Sequence, residues 1–321
     1  MRISGAVGAL LVTLMVGACG GATHLVATKT ATATVGAGAD TATATTAQRP
    51  GSTFGKAFIP VAAVQLYQPL ASYTLHTETL LTRVRAQIRD LRAAAAAGNL
   101  QQAQAAWLTA HMTWLQIGQD DNAYGAFGEL GERIDGQAAG LPGATANRDF
   151  TGFHKVELDL WRRNDTQAAA VDTAVLASLT ARLTPHIVER DLPLTAIGLD
   201  SWILRCHEIL EDALRDSLTQ NDDYGSNSDL ASLAADVSAT KEMLGLLAPL
   251  IEPRAPQLVP AANRELATLS EEITSAGGPV SGRSLLSLSQ RTREGLNSAT
   301  GALVETLAPV SDLMFITAPG A

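Results

Sequence analysis

A histidine and two acids interrupt an apolar stretch that reads DFTGFHKVELDLW, from Asp149 to Trp161. His154 and Glu157 are three residues apart, and residues with this spacing lie on the same face of a helix. An imidazole nitrogen and a carboxylate oxygen on one face can ligate the same metal ion. Glu-x-x-His is a known ligand spacing in helical-bundle metal sites, and the order is reversed here. We therefore interpret His154 and Glu157 as candidate metal ligands.

The same pair has a simpler interpretation, because an isolated His-x-x-Glu on a helix is commonly a surface pair or a capped core histidine. The flanking residues favour burial, since they make nearly the whole helix apolar: Phe150, Phe153, Val156, Leu158, Leu160 and Trp161. A buried carboxylate is costly unless it is paired or ligated. Two ligands do not complete a site, so others must converge on it. Candidates are Asp135 in the preceding glycine-rich segment, and Glu208 and Glu211, which share a face of a later helix.

Composition and charge narrow the class of protein. The chain has 321 residues, a net charge of −9, 46% apolar residues and only 4% aromatic residues. An acidic surface repels phosphate backbones, so nucleic acid is not an expected partner. The abundance of Ala and Leu favours helices over sheets.

The N-terminal segment MRISGAVGALLVTLMVGAC has the outline of a secretory signal. A basic residue precedes an apolar run from Ala6 to Val16, which is too short for a comfortable membrane span. The Val-Gly-Ala-Cys end resembles the lipobox of bacterial lipoproteins, in which the preceding peptide is removed and the cysteine thiol is lipidated. We expect residues 1–18 to be a lipoprotein signal peptide and Cys19 to carry the lipid. The alternative is an ordinary signal peptide followed by a chance cysteine.

The remaining chain divides into a tether and a helical domain. Residues 19–58 are rich in Ala, Thr and Gly with little to bury, which predicts a flexible tether. Apolar residues at helical spacing predict two helices between about residues 73 and 118 and a third that Asp149 or Thr151 can cap. Later helices are predicted at about 168–190, 196–219, 227–250, 257–276 and 282–308. The predicted fold is all-α, with two-lobed antiparallel helical bundles over residues 59–321, in lobes of about 59–166 and 167–321.

Several motifs resemble one family. DFTGFHKVELDLW is similar to the G-x-H-x-x-E-x-x-L-W signature of the imelysin-like proteins, also classed as peptidase family M75, and within them to the EfeO/EfeM group of bacterial iron-uptake proteins. YGAFGELGERIDG, GLPG, HEILEDALRDSLTQNDDYGS and LLAPLIEPRAPQL resemble the same group in the same order. The resemblance covers about residues 70 to 310. It implies helical-bundle lobes and a location on the extracytoplasmic (periplasmic) face of the cell membrane.

The resemblance also implies a function and a set of ligands. It implies a membrane-tethered protein that binds iron, as Fe²⁺ or Fe³⁺, in an EfeUOB-type uptake system, with an iron permease and a peroxidase as partners. The implied ligands are His154 and Glu157 from the signature, Asp135 from the preceding Ile-Asp, and Glu208 and Glu211 from the later helix.

The chain departs from the family at one helix. Where the family reads Tyr-Glu-x-Ile-Glu before the glycine-rich segment, this chain has Leu115 and Gly118 in place of the two glutamates. Asp120 and Asp121 follow in a small insertion and are candidates to replace the lost acids, and His111 on the same helix can replace an oxygen ligand with nitrogen. The loss of two acids leaves open a scaffold with a degenerate metal site.

A metallopeptidase is the other alternative, as the M75 class suggests. A catalytic zinc ion typically needs three protein ligands and an open position, and the usual helical motif is H-E-x-x-H. This sequence has no such motif, so metal binding is favoured over hydrolysis. Iron is the expected metal, while zinc or another divalent ion remains possible.

Overall fold

The computed structural model describes residues 59–118, 127–183, 196–279, 282–314 and 316–317. These ranges are overwhelmingly helical, and the prediction of an all-α protein is confirmed. The helices are α1 Tyr67–Ala96, α2 Leu100–Leu115, α3 Gly128–Asp135, α4 Gly152–Glu157, α5 Thr166–Arg182, α6 Ala196–Arg215, α7 Asp229–Ile251, α8 Leu258–Ser275, α9 Gln290–Leu307 and α10 Pro309–Leu313. Two strands of two residues each, β1 Val61–Ala62 and β2 Ile316–Thr317, pair in parallel. Within these ranges, no helix has both the length and the apolar character needed to cross a membrane.

The first helical hairpin follows directly from its sequence. The apolar residues of α1 recur every three or four positions and are buried, as the spacing predicted. The chain reverses at Gly98, whose φ of +72° suits glycine, and the Asn99 side chain accepts a hydrogen bond from the backbone N–H of Gln102 at 3.1 Å. Helix α1 then packs against both α2 and α5.

The later helices form a second set of neighbours. Helix α6 packs on α7 and α9, and α8 packs on α7 and α9, while α7 also contacts α2 and α1. Gly51–Ala321 form one compact unit. The division into lobes at about residue 166 stays a prediction, and α5, which begins there, packs on α1 and α4.

Some predicted helix boundaries were wrong because capping overrides apolar spacing. The last long helix begins at Gln290 rather than near residue 282, because the Ser289 side chain accepts from the backbone N–H of Thr292 at 3.1 Å. Leu285–Ser287 form a separate 3₁₀ turn before it. Helix α6 ends at Arg215 and is followed by another short 3₁₀ turn.

The start of α4 is fixed by contact with the end of α3. Gly152 has a φ of +83°, and a Cβ atom at this position would overlap the carbonyl oxygen of Ile134. Thr151, one of the two predicted caps, precedes the helix, but its side chain makes no capping hydrogen bond. Its hydroxyl instead donates to the carbonyl oxygen of Arg133 at 2.7 Å. Helix α4 continues into a π-helical turn at Leu158–Arg162. This contact brings Asp135, at the end of α3, next to the histidine of α4.

We expect Gly152→Ala to destabilise the fold by at least about 2 kcal/mol, because alanine would be strained at positive φ and would clash with the α3 backbone. Chemical denaturation monitored by circular dichroism measures this change. Gly245→Ala is the matched control, since Gly245 lies inside α7 with no atom within 4 Å of the added Cβ. The control should be neutral or stabilising by roughly 0.5–1 kcal/mol. Equal stability of the two variants would contradict the proposed contact.

Candidate metal centre

A polar cavity of about 270 Å³ lies beside the start of α4. Helices α2, α3, α4, α6 and α7, and the segment between α6 and α7, contribute to its wall. The lining residues that bear on the chemistry are His111, Leu115, Glu132, Asp135, His154, Arg205, Ile209, Asp212, Arg215, Asp216, Ser217, Asp222 and Asp236.

Two histidines meet around one carboxylate in this cavity. Nε2 of His111 lies 2.8 Å from Oδ1 of Asp135, and Nε2 of His154 lies 3.7 Å from the same oxygen. The three residues come from α2, α3 and α4, and their ligand atoms all lie within 4.8 Å of one another. Ligand atoms about 2.1 Å from an ion, at right or tetrahedral angles, would lie about 3.0–3.4 Å apart. The observed spacing therefore suits a metal ion with little rearrangement.

Glu157 contacts the ring nitrogen of His154 that does not face Asp135. Its Oε2 lies 3.1 Å from Nδ1 of His154, on the side of the ring away from Asp135. Its Oε1 accepts hydrogen bonds from the backbone N–H groups of Tyr224 and Ser226, at 3.0 Å each. The residue is 1% exposed and does not line the cavity. Glu157 was predicted to be a direct ligand, but the structure gives both of its oxygens other partners.

The His154–Glu157 pair carries opposite charges when no metal is bound. Burial alone would lower the pKa of His154, but its hydrogen bond to Glu157 and the charges of Asp135, Glu157 and Asp222 outweigh it and raise the pKa to about 9. Burial would raise the pKa of Glu157, but the hydrogen bonds from His154 and Ser226 outweigh it and lower that pKa. An ion that binds Nε2 of His154 must therefore displace a proton.

His111 is the ligand candidate that sequence reasoning weighed but did not select. It is 2% exposed, and its ring packs against Trp107 and Phe153 at centroid distances of 4.7 and 5.0 Å. Its Nδ1 is buried and has no hydrogen-bond partner among the described residues. The sequence places His111 on an apolar helix face without a companion. Only the fold shows that the end of α3 brings Asp135 to it.

Glu208 and Glu211 lie outside this group. They cluster instead with His207, whose Nε2 lies 3.2 Å from Oε1 of Glu211, and neither lines the cavity. Helix α6 turns the face that carries Arg205 and Asp212 toward the cavity. Glu208 and Glu211 come one position before Ile209 and Asp212, which line the cavity, and successive helical residues are about 100° apart, so the two glutamates point elsewhere. Glu208 or Glu211 was predicted to approach His154 as a ligand, and the structure places neither of them in this cavity.

Neither residue at the positions of the two family glutamates, Leu115 and Gly118, carries a carboxylate. Leu115 lines the cavity with an apolar surface. Gly118 has a φ of +69°, and a Cβ there would lie 2.6 Å from Cδ1 of Ile209, so this backbone cannot carry an acid without rearrangement. Asp120, Asp121 and Cys19 lie outside the described residues.

Two imidazoles around one carboxylate, held by three helices, define an all-α protein with a candidate cation site. Part of the helical domain matches a known family: residues 69–190 match the family model described as imelysin, peptidase M75. His111, Asp135, His154 and Glu157 all fall inside that range. The resemblance to the imelysin-like proteins is therefore confirmed.

Curated relatives extend the similarity beyond the family model. The chain is 22% identical over 253 residues to the iron uptake system component EfeO of Yersinia pseudotuberculosis and to that of Yersinia pestis. That alignment covers 78% of this chain and 65% of each relative, so the chain spans just under two thirds of their length. It is 19% identical over 215 residues to the iron uptake system component EfeM of Pseudomonas syringae, covering 67% of this chain and 73% of that protein.

Proposed function

We propose that this protein binds an iron ion in the cavity as its cargo, as part of an iron uptake system. The observation that carries the proposal is the convergence of Nε2 of His111 and Nε2 of His154 on Oδ1 of Asp135. The EfeO and EfeM relatives are named as iron uptake system components, which supports iron as the cargo.

The donor set suits iron. Two histidines and one carboxylate, with positions left open, form the ligand set typical of non-haem Fe(II) sites in proteins. No thiolate is needed, and the buried Cys206 does not line the cavity. Zinc and other divalent ions accept the same donors, so selectivity depends on geometry and metal supply.

An anaerobic calorimetric titration tests the proposal. The purified metal-free protein is titrated with Fe(II) at neutral pH, and one equivalent is expected to bind. A protein that takes up no Fe(II), or takes it up only at many weak sites, would contradict the proposal and favour a scaffold with a degenerate site.

The affinity for Fe(II) should rise about tenfold per pH unit between about pH 6 and 8, because His154 must lose a proton whose pKa is about 9. A histidine with the ordinary pKa of about 6.5 would be mostly neutral above about pH 7, so the gain would level off there. Competition titrations against a chelator of known affinity measure the slope. An affinity that stays flat above about pH 7 would contradict the charged His154–Glu157 pair.

We also propose that Cys19 is lipidated and tethers the protein to the extracytoplasmic face of the cell membrane, where an iron permease and a peroxidase would be its partners. The Val-Gly-Ala-Cys sequence after an apolar run supports this proposal. Cys19→Ala should move the protein from the membrane fraction to the soluble fraction, as immunoblotting would show. Mass spectrometry should find a chain that begins at Cys19 with added acyl mass, and an unmodified start elsewhere would refute the tether.

A further inference from the structure

We infer that Asp222 supplies a further carboxylate ligand to the bound ion, and that Glu157 is a positioning residue that holds both His154 and the segment carrying Asp222. This inference rests on the proposed function, because it concerns the same cavity. It assigns the ligand role to an acid of the loop between α6 and α7, which lies beyond the match to the family model.

Asp222 has one oxygen available to a cation. Its side chain lines the cavity together with His111, Asp135 and His154. Its Oδ2 accepts a hydrogen bond from Oγ of Ser217 at 3.1 Å, whereas its Oδ1 is buried and has no partner among the described residues. A buried carboxylate oxygen without a partner is costly. Coordination of a cation in the cavity would remove that cost.

The electrostatics of Asp222 link it to the same site. Burial raises its pKa to about 6, although the charge of His154 acts in the opposite direction. Asp222 in turn contributes to the raised pKa of His154. Asp222 and His154 therefore influence each other's charge across the cavity that both residues line.

The other carboxylates between α6 and this segment are already neutralised by arginines. Asp212 binds Arg205 at 2.6 Å and Arg215 at 2.9 Å. Asp216 binds Arg215 at 2.7 Å. A cation would have to compete with a guanidinium group for either acid, whereas the free oxygen of Asp222 meets no such competition.

Glu157 fixes the segment that follows Asp222. Its Oε1 accepts from the backbone N–H groups of Tyr224 and Ser226, which begin two residues after Asp222. The carbonyl oxygen of Tyr224 accepts from Nε of Arg162 at 3.2 Å, and its hydroxyl accepts from the backbone N–H of Ala138 at 2.7 Å. One buried carboxylate thus orients the imidazole of α4 and anchors the loop that presents the additional ligand. Partners of this kind fix the ring orientation and tautomer of a ligating histidine.

Cobalt(II) is the probe for the test, because its visible absorption reports the number and type of its ligands. Five full-length proteins are compared by calorimetry and by visible absorption at saturation: wild type, Asp222→Asn, Glu157→Gln, His154→Ala and the control Glu211→Gln. Glu211 is an acid of α6 that does not line the cavity. Thermal melts of the metal-free proteins check that each variant folds.

Asp222→Asn should bind Co(II) at least about tenfold more weakly and with an altered spectrum, because a direct ligand is lost. Glu157→Gln should also bind more weakly, by about 10- to 100-fold, but with the wild-type spectrum at saturation. The amide offers one acceptor oxygen where the carboxylate has two, so its NH2 group must face either His154 or the backbone N–H groups of Tyr224 and Ser226, whereas the set of ligands is retained. Glu211→Gln should match wild type in both measurements.

The outcomes separate this inference from the proposed function. If Asp222→Asn keeps the affinity and spectrum of wild type while His154→Ala loses binding, the metal site stands and the role of Asp222 is overturned. If Glu157→Gln changes the spectrum at saturation, Glu157 is a ligand and its positioning role is overturned. If wild type binds no Co(II) and no Fe(II), the proposed function fails and this inference fails with it.

Discussion

A His111→Ala/His154→Ala variant is expected to bind Fe(II) at least about a thousandfold more weakly than wild type. Loss of one outer partner of a metal ligand already costs about 10- to 100-fold in affinity, and this variant removes two direct ligands. Asp135 would be left as the one remaining member of the group in which the three side chains converge. Calorimetric titration under anaerobic conditions measures the loss.

The matched control removes two histidines elsewhere. His76→Ala/His207→Ala takes one histidine from α1 and a part-buried one from α6, and neither residue lines the cavity. We expect this control to keep wild-type affinity for Fe(II).

Because alanine at a buried position also removes packing, His111→Gln/His154→Gln serves as a second cavity variant of closer size. Circular dichroism verifies its fold. Loss of binding in the control and retention in the cavity variants would assign the metal to the His207 cluster and contradict the account.

Glu157→Ala is expected to lower the free energy of unfolding by about 3–5 kcal/mol, the cost of breaking a buried charge pair by removing one partner. The change would leave the imidazole of His154 and the backbone N–H groups of Tyr224 and Ser226 without their acceptor. Urea denaturation of the metal-free protein measures the effect. The size of this effect follows from the position of Glu157 as a link between α4 and a segment 67 residues away.

Glu211→Ala is the control for that measurement. Glu211 also pairs with a histidine on its own helix, at 3.2 Å, but its side chain is 44% exposed. Exposed pairs contribute about 0–1 kcal/mol, so the control should be nearly neutral. Similar denaturation midpoints for the two variants would show that Glu157 does not anchor the loop.

The sequence was sufficient to predict the helices and the burial of the motif helix. Apolar spacing gave α1 and α2, and the apolar flanks of His154 predicted that the pair lies inside the protein, where it is 5% and 1% exposed. The neighbourhood of Asp135 and His154 was also predicted, and it depends on a glycine that lets the end of α3 touch the start of α4. These features are local, so short stretches of sequence determine them.

The sequence did not predict which residues each of these side chains contacts. The spacing of His154 and Glu157 establishes a shared helix face, but not whether that face meets a cavity or another segment of the chain. The structure divides the pair: His154 faces the cavity, and Glu157 faces the backbone of Tyr224 and Ser226. On α6 the difference of one helical position separates Glu211 from the cavity that Asp212 lines.

Ligands from distant segments were the hardest to predict. His111 precedes Asp135 by 24 residues, and sequence alone gave it no partner. Asp222 lies in a run of polar residues before α7, where an acid more commonly caps a helix or faces solvent. Its buried, unpartnered oxygen appears only when the segment folds against Glu157.

X-ray absorption spectroscopy of the iron-loaded protein tests the central claim most directly. The fine structure beyond the iron edge distinguishes imidazole from carboxylate ligands, because the outer atoms of each imidazole ring scatter at characteristic distances. We predict two imidazole ligands in the wild type, with oxygen donors in the remaining positions, and one imidazole ligand in His111→Ala. A spectrum with one imidazole, unchanged in His111→Ala, would contradict a centre formed by His111, Asp135 and His154. It would indicate instead that His154 and Glu157 are the ligands.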